Sequence, residues 1–303
     1  MKPFFSCALA LSCGALSVRA EVKLNPLLTD NMVVQRDLPL PVYGTARPGE
    51  KVQVVVGAAS ARAVADEEGH WEVKLPPRSL GPAFEIAVQG DNRVVLRNVI
   101  AGDVWLCGGQ SNMEFGVASA RNASQEIASA NYPGIRFFRV EYEMADAPCA
   151  VVAGGPWNVV LPATVAGLTA VGYFFAREVH QKTGVPIGLI NSNWNGTVAE
   201  AWTSREALAS VPQLAYLLER FHPVEAAKNG EGRPQDRTTV LFNAKIAPLT
   251  RSPIRGVLWY QGENNAGRAF QYRTLLPTLM RDWRFHWRAT GSGDFPFYIV
   301  TTG

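Results

Sequence analysis

Three apolar runs in this chain end the same way, in a cluster of small and amide-bearing residues. Val104-Trp105-Leu106-Cys107 runs into Gly108-Gly109-Gln110-Ser111-Asn112-Met113. Ile187-Gly188-Leu189-Ile190 runs into Asn191-Ser192-Asn193-Trp194-Asn195-Gly196-Thr197. The run from Ile254 to Tyr260 ends in Gln261-Gly262-Glu263-Asn264-Asn265. Runs this short and this apolar read as strands buried on both faces. Helical patterning lies between them: residues 112 to 130, 169 to 183 (Val171, Phe174, Phe175 and Val179 at helical spacing), 205 to 221, 238 to 247 and 268 to 289. Strand runs at 135–140 and 297–300 complete the alternation. That order predicts an α/β fold, a doubly wound parallel sheet with helices on both faces. In such sheets ligands bind beyond the carboxyl ends of the strands, where all three polar clusters fall.

The first third of the chain reads differently. Val33-Val34, Pro41 to Tyr43, Lys51 to Val56, Trp71 to Leu75, Phe84 to Val88 and Val94 to Leu96 are short β-branched or aromatic runs. Turn signals separate them: Arg47-Pro48-Gly49-Glu50, Glu68-Gly69, Gly81-Pro82 and Gly90-Asp91-Asn92. This spacing predicts a small β-sandwich over residues 21–98, followed by the α/β domain over 99–303. Residues 1–20 have a basic start at Lys2, an apolar stretch from Phe4 to Val18 and small residues at Val18 and Ala20. They read as a signal peptide and predict an exported, periplasmic or secreted protein.

Composition narrows the function. The formal charge of +3 includes Lys2 and Arg19 of the leader, and no basic run exists. Phosphate or nucleic-acid binding through a positive field is therefore unsupported, and a small neutral or acidic substrate is expected. No later segment has the length and apolarity of a membrane span. Of four cysteines, Cys7 and Cys13 belong to the leader, and no Cys/His spacing resembles a zinc site. No metal or organic cofactor is implied, and oligomeric state is not legible.

Ser111 is the candidate nucleophile. A serine on a Gly-rich turn between strand and helix presents its hydroxyl to a cleft, and its own N–H near a helix start can stabilise an oxyanion. A plain helix N-cap is the alternative. Gly196 is a candidate second oxyanion donor, because glycine lets backbone approach a substrate closely; the alternative is an ordinary tight turn. Gln261 is a third candidate donor, or else a polar residue closing its loop with Glu263 as partner. Gln110, Asn112, Asn195 and Glu263 are the remaining substrate-binding or supporting candidates.

Longer stretches carry a resemblance. Asp103-Val-Trp-Leu-Cys-Gly-Gly-Gln-Ser111-Asn-Met-Glu-Phe115 closely resembles the nucleophile block of the sialate O-acetylesterase family, a branch of the SGNH hydrolases. Ala170 to Glu178, Ile190 to Thr197, Arg255 to Glu263 and Asp282-Trp283-Arg284 look like its later blocks. Asp30 to Arg36 and Gly69-His70-Trp71 look like its N-terminal β-domain. The resemblance implies a flavodoxin-like SGNH hydrolase domain that removes acetyl groups from sugars such as sialic acid. It makes Ser111 the nucleophile, with its N–H, a glycine N–H of the second block and the Gln261 side chain as oxyanion donors. Two positions depart from the family's pattern: Asn195 stands where the second block has a glycine, and Asn264 where serine is usual.

The family's base is a histidine in an Asp-x-x-His block near its C-terminus. None of this chain's histidines, His70, His180, His222 and His286, follows an Asp by three residues; Glu67, Arg177, Glu219 and Trp283 stand there. The catalytic His and Asp are thus read as not present, and a C-terminal truncation that weakens or abolishes activity is the expectation. A serine hydroxyl without a base is a weak nucleophile. The competing reading is a non-catalytic glycan-binding protein, with Trp194 and Trp202 stacking on sugar. A lipase-like esterase is disfavoured by the lack of an apolar lid and of a Gly-x-Ser-x-Gly elbow.

Overall fold

A computed structural model describes residues 21–220 and 233–301. The leader at 1–20, His222 and most of the polar loop around Asn229 lie outside the described residues.

The first strands are β1 (Lys23–Leu24), β2 (Val33–Gln35), β3 (Leu40–Thr45), β4 (Lys51–Val56), β5 (Ala59–Val64), β6 (His70–Leu75) and β7 (Phe84–Gln89). Then comes β8 (Arg93–Gly109), 17 residues long. Strands β1, β3 and β6 form one antiparallel sheet; β5, β4, β7 and the start of β8 form another. Alternate residues of β4 and β6 turn inward, so Val52, Val54, Trp71 and Val73 share one core with Ile86 and Val88. The β5 segment, Ala-Ser-Ala-Arg-Ala-Val, has only Val64 among the residues that mark a strand. It forms one because the turn after β4 returns it in register, Lys51 opposite Val64.

The remaining strands are β9 (Tyr132–Arg139), β10 (Asn158–Val160), β11 (Ile187–Asn193), β12 (Gly256–Tyr260) and β13 (Phe297–Ile299). The parallel order is β9-β11-β8-β12-β13, with β10 antiparallel at the β9 edge. Within this sheet that is 2-3-1-4-5, where flavodoxin itself runs 2-1-3-4-5. Helix Ala170–Thr183 covers one face, burying Tyr173 and Ala176 with Trp105, Cys107 and Leu189. Helix Ala269–Trp287 covers the other, burying Leu279, Trp283 and Trp287 with Leu106, Val257 and Trp259. The sheet is therefore doubly wound, and β8 carries the chain from the N-terminal sheets into its centre.

Three expected helices are broken, and the 205–221 segment splits into Arg205–Ala209, Pro212–Ala215 and a 3-10 turn Tyr216–Arg220, with Pro212 starting the second helix. The 112–130 segment forms Ser111–Glu114, a 3-10 turn Val117–Ser119 and Ala123–Ser129. It leaves helical geometry because its backbone bonds elsewhere: Ala170 N–H donates to Phe115 O (2.8 Å) and Val117 N–H to Leu168 O (3.0 Å). The 238–247 segment forms a π-turn, Phe242–Ile246, that buries Lys245. Among the described residues no helix is long and apolar enough to cross a membrane.

Candidate active site

The three polar clusters leave adjacent strands at one level. Gly109 is the register partner of both Asn193 on β11 and Tyr260 on β12, so Gln110, Trp194 and Gln261 step off the sheet side by side. Backbone bonds tie the exits together: Gln110 N–H donates to Tyr260 O (3.0 Å) and Trp194 N–H to Gly109 O (3.1 Å). Gly109 has φ +142°, and a Cβ there would lie 2.1 Å from Tyr260 O. Only glycine lets β8 and β12 approach this closely.

Ser111 opens the short helix Ser111–Glu114 and is half-buried. The cap position belongs to Gln110, and no side chain caps the helix. Among the described residues neither the Ser111 hydroxyl nor its N–H has a hydrogen-bond partner, so both are available to a ligand. The buried Gln110 holds the turn to the third cluster: its Oε1 accepts the N–H of Gly262 (3.4 Å) and of Asn264 (3.3 Å). Asn112 donates through Nδ2 to Glu263 Oε1. The other Glu263 oxygen, Oε2, is buried without a partner among the described residues.

The second cluster distinguishes its two candidate donors. The Asn195 N–H is engaged by Glu114 Oε2 at 2.6 Å, and Asn195 O accepts from Arg233 (2.9 Å). Gly196 is buried at φ +68°, its carbonyl accepts from Asn264 Nδ2, and its N–H has no partner among the described residues. The left-handed backbone thus falls at the retained glycine, and Asn195 carries no such strain. The turn is locked by Thr197, whose hydroxyl donates to Trp194 O (2.9 Å) and accepts from the Trp202 indole (2.9 Å).

Gln261 is buried, and both hydrogens of its amide are used within the protein, toward Thr197 O (3.0 Å) and Asn265 Oδ1 (2.7 Å). The Tyr272 hydroxyl stands 2.9 Å from its Oε1. In this arrangement Gln261 joins the second and third clusters; donation to an oxyanion requires it to release one of those bonds. Asn265 extends the link by accepting from Ala199 N–H (3.0 Å) and donating to Glu200 (2.9 Å), which pairs with Arg268 (2.6 Å).

Residues to which the sequence reading gave no role complete the β9 side of the edge. Glu114 accepts the Tyr142 hydroxyl (2.7 Å) as well as Asn195 N–H. Tyr142 packs against Trp194 with ring centroids 4.9 Å apart. Lys245 lies under both rings and donates to Val140 O (3.3 Å) and Glu141 O (2.6 Å). Burial pushes its ammonium down to about 7. Glu114 had a signal, three residues after Ser111 on one helix; Tyr142 and Lys245 had none. Trp202 is fully buried and cannot stack on a sugar, so of the two tryptophans proposed for that role only Trp194 reaches the surface.

No described histidine stands at this edge. His70 begins β6 in the N-terminal sheets, and His180 bonds Val185 O (2.7 Å) at the far end of its helix. His286 lies 3.3 Å from Asp282, a carboxylate already taken by the Ser204 N–H (2.8 Å) and hydroxyl (2.7 Å). It sits 17 residues along the helix that starts at Ala269, about 25 Å from the carboxyl edge at helical rise. Among the described residues no group of three or more His, Cys, Asp or Glu side chains is placed to hold a metal ion.

Comparison with known proteins identifies the family. Residues 101–303 match the family model "Carbohydrate esterase, sialic acid-specific acetylesterase". The chain is 31% identical to the sialate O-acetylesterase of Mus musculus, an alignment covering 89% of this chain and 58% of that protein. To the Homo sapiens sialate O-acetylesterase it is 30% identical, covering 90% and 55%. Its structure is similar to that of a carbohydrate acetylesterase from Xanthomonas citri, with TM-score 0.82, 37% identity, and coverage of 92% of this chain and 60% of that one. The chain therefore spans a little over half the length of these relatives. With the family model over residues 101–303, relatives at 30% and 31% identity and the doubly wound sheet in agreement, this chain belongs to the sialic acid-specific acetylesterase family of carbohydrate esterases.

Proposed function

We propose that the chain is built for serine-based removal of acetyl groups from sugars, with O-acetylated sialic acid as the substrate class. The observation that carries this reading is the convergence of Ser111 and the Gly196 turn on adjacent strands, with the Ser111 hydroxyl, the Ser111 N–H and the Gly196 N–H all without partners among the described residues. In the proposed reaction Ser111 Oγ attacks the acetyl carbonyl and loses its proton to a base. The oxyanion that forms accepts from the two backbone N–H groups. Collapse breaks the ester bond, the sugar oxygen leaves with a proton, and acetyl remains on Ser111. Water then attacks the acyl-enzyme and releases acetate.

Hydrolysis by the chain alone is expected to be weak, because no described histidine reaches Ser111. A serine hydrolase without its base retains only about 10³–10⁴-fold acceleration over water, from oxyanion hole and binding. Acetate release from an O-acetylated sialic acid, measured beside Ser111→Ala, tests both parts. Slow release that the variant lacks supports the reading. Release equal in both removes Ser111 from the chemistry, and rates typical of a complete triad would show that a base exists within this sequence. A non-catalytic glycan-binding role is the outcome if sugar binds but acetate is never released.

A further inference from the structure

The β9 side of this sheet edge contains a cation to which neither the nucleophile nor the oxyanion donors assign work. Arg139 ends β9 at the carboxyl edge, opposite Asn191 on β11. It is exposed, and among the described residues its guanidinium has no hydrogen bond or ion pair. This is not for lack of carboxylates: Glu141 and Glu143 follow on the same segment, and Glu114 is near. Glu114, however, is held by the Tyr142 hydroxyl and the Asn195 N–H. Arg139 Nη1 extends toward the turn at Gly167, 3.9 Å from where a Cβ on that glycine would stand. A Cβ on Gly116, two residues past Glu114, would lie 3.7 Å from Gly167 Cα. The guanidinium therefore lies near the turn that follows the helix carrying Ser111.

The aromatic pair Tyr142 and Trp194 is linked to both: Arg139 is among the charges that act on the Tyr142 hydroxyl, and that hydroxyl donates to Glu114 of the Ser111 helix. Glu114 and Ser111 are three residues apart on one helix and so share a face. The Tyr142–Glu114 bond sets the aromatic wall beside the nucleophile. Strand β9 is two strands from β8, about 10 Å across the sheet at ordinary strand spacing. That is the span of one sugar residue with its side chain.

We propose that Arg139 is the subsite for the carboxylate of an acidic sugar whose acetyl ester lies at Ser111, with the Tyr142–Trp194 pair packing against the sugar between them. Guanidinium is the side chain best matched to a carboxylate, through two parallel N–H donors. This deepens the sialate reading above and rests on it. Arg139 selects acidic over neutral acetylated sugars and takes no part in bond making.

The test measures binding, so it does not depend on turnover. In the Ser111→Ala chain, isothermal titration compares 9-O-acetyl-N-acetylneuraminate with its carboxyl methyl ester. The free acid is expected to bind about tenfold more tightly than the ester. Adding Arg139→Gln is expected to erase that difference and leave the ester's Kd unchanged, and Arg139→Lys to restore part of it. A difference that survives Arg139→Gln overturns the proposal. So does equal binding of acid and ester before the substitution, a result that leaves the sugar site standing. Binding of neither compound overturns the site reading and this subsite together.

Discussion

Lys245 is fully buried beneath Tyr142 and Trp194, with two backbone carbonyls as its acceptors. Burial lowers its pKa from the ordinary lysine value to about 7, so near and above neutrality the folded protein holds fewer protons there than the unfolded chain. Its contribution to stability is therefore greatest above the unfolded value and is lost as pH falls through about 7. Between pH 7 and 10 the Tm of the native chain is expected to rise from this group, and Lys245→Met is expected to flatten that rise. A slope unchanged by the substitution would place its cause elsewhere. The tyrosines act oppositely and later: burial raises Tyr43, Tyr142 and Tyr272 to about 12, so their contribution is present below about 10 and lost as pH rises through 12. At this scale Ser111 stood out in sequence as a candidate, because it sits on a Gly-Gly turn after an apolar strand within a long block that resembles the family's. The pairing of Glu114 with Asn195 N–H was not legible there, because it joins residues 81 positions apart.

Helix Ala269–Trp287 holds the sheet face behind the site through a chain of indoles. Trp202 meets Trp259 (6.3 Å between centroids), Trp259 meets Trp283 (5.5 Å), and Trp283 meets Trp287 (6.4 Å). The Trp283 indole also donates to Trp202 O at 2.9 Å, fixing the start of the segment that follows the Gly196 turn. Trp283→Ala removes this volume and leaves that carbonyl without its donor. Urea titration is expected to show a loss of about 3–5 kcal/mol, with Trp283→Phe losing less; a loss near zero would mean the indole chain contributes no packing. The helix itself was readable from its periodicity. The breaks at Phe115 and in the π-turn were not, since long-range backbone bonds and the burial of one lysine produced them rather than local propensity.

Strand β8 makes the molecule one mechanical piece. Its first residues pair with β7, residues 100–102 with β2, and the rest with β11 and β12. Arg36 clasps Asp103 at 2.8 and 3.3 Å where the two regions meet, and Gln35 Oε1 accepts the Val104 N–H at 2.9 Å. The core is continuous across this junction, joining Val54 and Ile86 to Leu106 and Trp283. A single urea transition, superimposable by far-ultraviolet dichroism and tryptophan fluorescence, is the expected behaviour. Two separated transitions would show that the shared strand does not couple the regions.

The sequence by itself determined the strands that end in polar blocks, the order of those blocks along the chain, and the serine among them, because each is written in local composition and periodicity. Only the tertiary structure decided the rest. It placed β8 between β11 and β12, left the Gly196 N–H without a partner among the described residues while Asn195's was bound, turned both hydrogens of Gln261 inward, and tied Tyr142 to the helix that opens at Ser111. Those outcomes depend on which distant backbone and side-chain groups satisfy one another once the sheet closes, and no local pattern records that pairing.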